Sequence, residues 1–146
     1  MKTCRGGSRS APAGIAMNPH NCFGALHPRA KEGIRLYNEG KYFEAHEALE
    51  AAWRAESGPI RGLYQGILQA AVTYHHILRG NYAGAIKVYG RSMKWLDAFP
   101  ASCRGVDVGK LRADLSQVIA EVRQLGPERI NEFDRSRLMP VVWEEK

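Results

Sequence analysis

GIRLYNEGKYFEAHEALEAAW, residues 33–53, decides the fold class, because its apolar residues recur at helical spacing on both sides of one glycine. Gly40 suits the left-handed backbone conformation that ends many helices. The stretch therefore predicts two helices joined by a tight turn, over about residues 29–38 and 41–55. The first helix has apolar or small residues at i, i+3, i+4 and i+7, on one face: Ala30, Gly33, Ile34 and Tyr37.

Three further helices follow from the apolar stripes that continue down the chain. They are predicted from residue 59 to 79, from about 82 to 99, and from about 108 to 125. The third helix has no charged residue between its terminal arginines, which is typical of a buried central helix. No segment shows the alternation expected of a strand, so the sequence predicts an all-α fold, a compact bundle of about five helices. Residues 138–143 are expected to pack back on it as an extended strap.

An internal sequence repeat divides the bundle into two halves. Gly40-Lys41-Tyr42-x-x-Ala45 returns as Gly80-Asn81-Tyr82-x-x-Ala85, each inside a helix–turn–helix. The pattern is similar to the tetratricopeptide hairpin, but two copies are fewer than a solenoid needs. We therefore expect two tetratricopeptide-like αα-hairpins plus a C-terminal helix.

The N-terminal segment differs in composition from the rest. Residues 1–28 are rich in Gly, Ser, Pro and Ala and lack helical periodicity, which predicts a disordered basic leader ahead of a single α-helical domain, residues 29–146. No apolar stretch of the kind found in secretory signals is present. A transit peptide and an extended start, with Met17 as the initiator, remain open alternatives.

Charge and cysteine usage narrow the class of protein. The formal net charge is +6, but the first ten residues hold an excess of basic groups and the rest is close to balanced, which argues against nucleic acid as a partner. No apolar run is long enough to cross a membrane. The three cysteines, at positions 4, 22 and 103, are odd in number and form no CxxC pair. We therefore expect reduced thiols and a cytoplasmic protein.

Three ordered blocks of residues resemble the domain of unknown function 309 family, over roughly residues 29–142. The resemblance implies a multihelical bundle and implies no reaction, because the family has no assigned activity. The blocks are Gly33-x-x-Leu36-Tyr37-Asn38-x-Gly40-x-Tyr42-x-Glu44-Ala45-His46-Glu47-x-Leu49-Glu50-x-x-Trp53; Tyr64-Gln65-Gly66-Ile67-Leu68-Gln69 with His76 and Arg79-Gly80-Asn81-x-x-Gly84-Ala85; and Gly105-Val106-Asp107-Val108 with Leu111 and Pro140.

Polar side chains at helical spacing mark the candidate site. His46 and Glu50 lie at i and i+4 on one face of the second helix, with Trp53 at i+7. Gln69 and His76 share a stripe of the third helix, so these groups would converge if the two stripes face each other. No catalytic residue is assigned. The candidate ligand-binding residues are His46, Glu47, Glu50, Trp53, Tyr64, Gln69 and His76.

Three interpretations of this face compete. The residues form a buried hydrogen-bond network, a metal site, or a pocket for a small ligand or peptide. The network is favoured as the structural role, because polar networks of this kind are commoner than active sites. The metal site is less favoured, because the zincin and di-iron spacings are absent. The preferred function is a non-enzymatic module that binds a protein partner or a small ligand, with a homodimer as one possibility. The alternative is a small metal-dependent enzyme with His46, Glu50 and His76 as ligands and Glu47 as base; the sequence does not identify a cofactor.

Overall fold

The computed structural model of the chain describes residues 21–145, and it forms the predicted all-α bundle. A two-stranded antiparallel sheet lies between the fourth and fifth helices. The elements are α1 (Pro28–Asn38), α2 (Tyr42–Ala55), α3 (Arg61–Leu78), α4 (Tyr82–Leu96), β1 (Ser102–Cys103), β2 (Val106–Asp107) and α5 (Val108–Arg129), followed by short 3-10 turns at Ile130–Glu132 and Arg135–Arg137.

The first four helices pack in the order in which they occur, each on the next, and α5 packs against α4. The middle helix α3 is buried along most of its length, as its lack of charge predicted. Each hairpin has one point at which its two helices approach closely. Gly33 of α1 faces Leu49 of α2, and Gly66 of α3 faces Leu96 of α4, where a Cβ atom would come within 2.6 and 2.5 Å of a leucine carbon.

The two copies of the internal sequence repeat form the same turn. Gly40 and Gly80 have φ angles of +81° and +73°, in the region that favours glycine. The N–H of the next residue then donates to a carbonyl of the preceding helix, from Lys41 to Leu36 and from Asn81 to His76. Both hairpins therefore end their first helix with the same hydrogen-bond pattern. Their likeness to tetratricopeptide hairpins stays a prediction.

The packed part of the chain begins earlier than the predicted boundary at residue 29. Leu26 is buried, and the His27 Nδ1 atom accepts a hydrogen bond from the Arg29 N–H at the start of α1. The residues from 21 to 28 therefore belong to the folded domain. The remainder of the predicted leader, residues 1–20, lies outside the described residues.

A disulfide between Cys22 and Cys103 corrects the expectation of reduced thiols. The two cysteines are 81 residues apart, and only the fold brings them together. Arg104 fixes the same segment by donating from its side chain to the carbonyl oxygens of Asn21 and Ala25. Disulfides are typical of oxidising compartments, so the cysteines no longer support the predicted cytoplasmic location.

The C-terminal strap packs back as predicted. Val141 is buried, and its N–H and carbonyl both hydrogen-bond to the Asn38 side chain. Trp143 pairs with Val106 in an antiparallel bridge. These contacts tie the strap to α1 and to the small sheet.

The end of α5 is also close to the prediction. Asp107 caps this helix by accepting from the Lys110 N–H, and Gly126 interrupts it with a φ of +77°. The helix that was predicted to end at about residue 125 therefore kinks at Gly126, after which one more turn reaches Arg129.

Between residues 21 and 145, we find no helix with the length and apolar character that a membrane span requires.

Candidate functional site

The predicted stripe on α2 meets α3 at two separate ends. At the start of α2, the Phe43 ring lies 5.9 Å from His46 and 5.8 Å from His75, measured between ring centroids. Burial lowers the pKa of His75, with smaller contributions from Arg79 and His46. His75 is therefore the histidine near His46. The prediction that His76 meets His46 is wrong, because helical periodicity does not fix which side of α3 turns toward α2.

His76 belongs to the turn between α3 and α4. Its Nδ1 atom lies 3.2 Å from the Asn81 side-chain nitrogen, and Asn81 caps α4 by accepting from the Gly84 N–H. Burial lowers the pKa of His76, helped by the neighbouring His75 and Arg79. This histidine supports a helix cap.

The two lowered pKa values predict a dependence of stability on pH. An unfolded histidine binds its proton near pH ~6.5, whereas His75 and His76 hold theirs only at lower pH when folded. Below pH ~6.5 the unfolded chain therefore binds more protons, and the free energy of unfolding falls until both states are protonated. Arg79 and His46 reinforce this effect on His75, and Glu44 opposes it.

Urea unfolding at pH values from about 8 to about 5 measures this dependence. We expect the midpoint of the wild-type protein to drop across this interval. The variant in which His75 and His76 are both replaced by glutamine should show a shallower drop. An equal slope in the two proteins would assign the pH dependence to other groups.

Glu50 takes part in an ion pair on the surface of α2. Its carboxylate lies 3.0 Å from the Arg54 guanidinium, one turn later, and Glu47 is exposed on the same helix. Neither carboxylate reaches the histidines through a hydrogen bond that the structure records in residues 21–145. The acidic residues of the predicted site therefore face solvent.

Replacing Glu50 with alanine should change the free energy of unfolding by less than ~0.5 kcal/mol, because an exposed i,i+4 pair contributes little. Urea titration of Glu50→Ala beside Arg54→Ala measures it. A loss above ~1 kcal/mol that the Arg54 variant does not share would show that Glu50 holds a buried partner after all.

The four polar groups that were expected to converge do not. Within residues 21–145, no hydrogen bond joins His46, Glu50, Gln69 and His76, and the His46 Nδ1 atom is buried without a partner. In the same part of the chain, no three His, Cys, Asp or Glu residues are arranged to hold a metal ion. The buried network is therefore not formed, and the ligand geometry that the metal-enzyme alternative needs is not present.

Tyr64 lies in the core and lines no cleft. Its side chain has no solvent exposure, and its hydroxyl oxygen accepts a hydrogen bond from the His27 N–H at 2.9 Å. Burial raises the pKa of this hydroxyl. Its role is to hold the segment before α1 against α3, which corrects its place among the ligand-binding candidates.

Gln69 does border an open cleft, on the side of α3 that faces α4. The cleft has a volume of about 430 Å³, and none of the residues that line it carries a carboxylate. Trp95 is 43% exposed there, although it is the largest side chain of α4. The lining of this Trp95 cleft is Gln69, Arg91, Lys94, Trp95 and Ala98.

Sequence reasoning missed the α4 side of this cleft. Trp95 falls off the apolar stripe of α4, which faces the core through residues such as Ala85 and Leu96. An aromatic residue outside the buried stripe, with two basic residues within one turn, was the signal available at Arg91, Lys94 and Trp95.

The first turn of α3 lies between two tryptophans. On one side, the Arg61 guanidinium stacks over the Trp53 ring, 4.5 Å from its centroid. On the other, a Cβ atom at Gly62 would lie 3.3 Å from a Trp95 ring carbon. From there a half-buried stripe of α3 runs through Gln65, whose side-chain oxygen accepts a hydrogen bond from Gln69 at 2.9 Å. We call this surface the α3 groove: Arg61, Gln65 and Gln69 as floor, Trp53 and Trp95 as walls.

A second cleft, of about 440 Å³, lies at the kink of α5. Four of its charged groups are already paired with one another, Arg129 with Glu132 and Arg137 with Glu121. A ligand there would have to displace these ion pairs, whereas the cations of the Trp95 cleft make no ion pair within the described part of the chain.

Comparison with known proteins places this fold among uncharacterised relatives. An uncharacterized protein of Aquifex aeolicus (strain VF5) is 30% identical over 90 residues, which are 61% of this chain and 27% of that protein. The uncharacterized protein YpuF of Bacillus subtilis (strain 168) is 33% identical over 92 residues, 61% of this chain and 53% of YpuF. The chain thus spans about half, or less, of the length of these relatives. Residues 30–88, from α1 into α4, match the model of the domain of unknown function family DUF309, which is the family that the sequence motifs resemble.

Proposed function

We propose that the protein is a non-enzymatic binding module, and that the Trp95 cleft is where it binds an anionic, partly apolar group of a partner. The observation that carries the proposal is the composition of the cleft: an exposed tryptophan, a glutamine amide and two cations, with no carboxylate. Its volume of about 430 Å³ falls in the range of ligand sites, about 300–1,000 Å³.

Each lining group has a distinct part in such binding. Trp95 offers apolar area at little cost in side-chain entropy, which is why tryptophan is enriched at interfaces. Arg91 and Lys94 attract negative charge, and both are exposed. The Gln69 amide can donate to and accept from a polar group of the ligand.

Anilinonaphthalene sulfonate, an aromatic anion, is a suitable first probe of the native full-length chain. We expect its fluorescence to rise on binding, with an apparent Kd that is about tenfold weaker in Trp95→Ala and in Arg91→Glu. Near-ultraviolet circular dichroism of each variant checks that the fold is intact.

Two matched controls distinguish binding at this site from nonspecific binding of the dye elsewhere on the surface. Phe43→Ala removes an aromatic side chain that is 53% exposed on α2, outside the cleft, and Arg135→Glu reverses a charge in the C-terminal 3-10 turn. Neither should change the affinity. If Phe43→Ala weakens the dye as much as Trp95→Ala does, the cleft is not the binding site and the proposal fails.

A further inference from the structure

Arg61 is a cation held in place without a partner for its charge. Its guanidinium stacks on Trp53, its Nε atom is buried without a hydrogen bond, and the structure records no ion pair for it in residues 21–145. Stacking on an aromatic face restrains an arginine and leaves the N–H groups in the plane of its guanidinium able to donate hydrogen bonds. A planar guanidinium in this state is suited to bind a carboxylate through two parallel hydrogen bonds.

The rest of the α3 groove extends this charge toward the Trp95 cleft. Arg61, Gln65 and Gln69 lie one helical turn apart, so the floor is about 12 Å long at 1.5 Å per residue. An extended peptide covers that length with about four residues. A small carboxylate could touch Arg61 or the cleft but could not span both. The two glutamine amides offer donors and acceptors to a peptide backbone.

The charge of the groove selects the kind of peptide. Cations lie at both ends, Arg61 at one and Arg91 with Lys94 at the other, while Glu50 of α2 is paired with Arg54. A basic peptide would be repelled, and a neutral one would leave these charges unpaired. The complementary occupant is acidic, with an apolar side chain for Trp95.

We propose that the α3 groove binds an extended acidic peptide segment of a partner protein, one carboxylate pairing with Arg61 on its Trp53 platform and an apolar side chain resting on Trp95. This inference rests on the proposed function of the Trp95 cleft and adds to it the substrate class and the second anchor.

Fluorescence polarisation with a labelled hexapeptide of alternating Glu and Leu tests the proposal on the full-length chain. We expect saturable binding, about tenfold weaker in Arg61→Gln and also weakened in Arg61→Lys, because lysine keeps the charge but not the planar fork. Trp53→Leu should weaken binding as well, because it removes the platform. Arg135→Gln, which changes an arginine of the C-terminal 3-10 turn outside the groove, is the matched control and should bind as the wild type does.

Several outcomes would overturn the inference. One is equal binding of the matching hexapeptide of Gln and Leu, and another is unchanged affinity in Arg61→Gln. Tighter binding of an oligothymidylate of equal charge, or full competition by glutarate at the concentration of the peptide, would point to another ligand. Self-association of the protein that blocks the groove would also contradict the inference. If the dye still binds the Trp95 cleft while the affinity for the peptide does not depend on Arg61, the acidic-peptide inference fails and the proposed function stands. If neither probe binds, both fail.

Discussion

Replacing Cys103 with serine should lower the free energy of unfolding by about 4 kcal/mol, the largest effect that we expect from a single side chain. The disulfide joins residues 81 apart, and a crosslink that closes a long loop restricts the unfolded chain strongly. It also anchors the segment before α1, in which Leu26 is buried and His27 caps the helix. Reduction of the wild-type protein should produce a similar loss.

Urea unfolding with and without dithiothreitol measures this effect, best in a Cys4→Ser background that prevents thiol exchange. The Cys22→Ser, Cys103→Ser and double variants should unfold at nearly the same urea concentration, because each lacks the same bond. Dithiothreitol should then have no further effect on them. A wild-type protein whose unfolding is insensitive to the reductant would contradict the disulfide.

Truncating Leu96 to alanine should lower the free energy of unfolding by about 3 kcal/mol. Leu96 has no solvent exposure and packs against Gly66 of α3. Ser92, one turn earlier, donates to the Gly66 carbonyl at 2.8 Å and keeps the two helices in contact. The helices cannot close around the missing atoms while this bond holds, so a cavity remains.

A double-mutant cycle makes the prediction specific to this contact. Gly66→Ala alone places a methyl group against Leu96 and should destabilise the protein, although alanine favours helix more than glycine does. Combined with Leu96→Ala, the new methyl group enters the vacated space, so the two losses should be less than additive. Additive losses would show that the two residues do not touch.

Local chemistry made most of the fold predictable. The sequence predicted that one helix ends at Gly40 and another at Gly80, and both glycines have positive φ angles in the structure. Asp107 caps α5 by accepting a hydrogen bond from the N–H three residues later, as an aspartate at the start of a helix commonly does. Each of these features depends on residues that are close in sequence, where backbone sterics and helix geometry suffice.

The errors concern contacts that only the assembled fold creates. The pairing of Cys22 with Cys103 depends on where the segment before α1 meets the small sheet, and no local pattern encodes it. Each strand of that sheet has two residues, too few for an alternation to be visible. Periodicity showed which α3 residues share a face, but not whether His75 or His76 turns toward α2.

The candidate site was predictable in part for the same reason. Trp53 and Gln69 were among the candidate residues on α2 and α3, and both border the α3 groove. Trp95 and Arg61 were not among those candidates, because their significance lies in packing between helices. The groove is therefore a proposal drawn from the structure. It includes the Trp53 end of the predicted α2 stripe and not the His46 end.

The central claim is that a ligand enters the α3 groove, and the indole N–H signals of the three tryptophans test it most directly. In nitrogen–proton correlation spectra, each of Trp53, Trp95 and Trp143 gives one such signal, assigned by single replacements with phenylalanine. On titration with the Glu–Leu hexapeptide, we predict that the Trp53 and Trp95 signals shift together and saturate. Trp143, which pairs with Val106 in the C-terminal strap, should stay in place. Stationary signals from Trp53 and Trp95, or an equal shift of Trp143, would contradict the account.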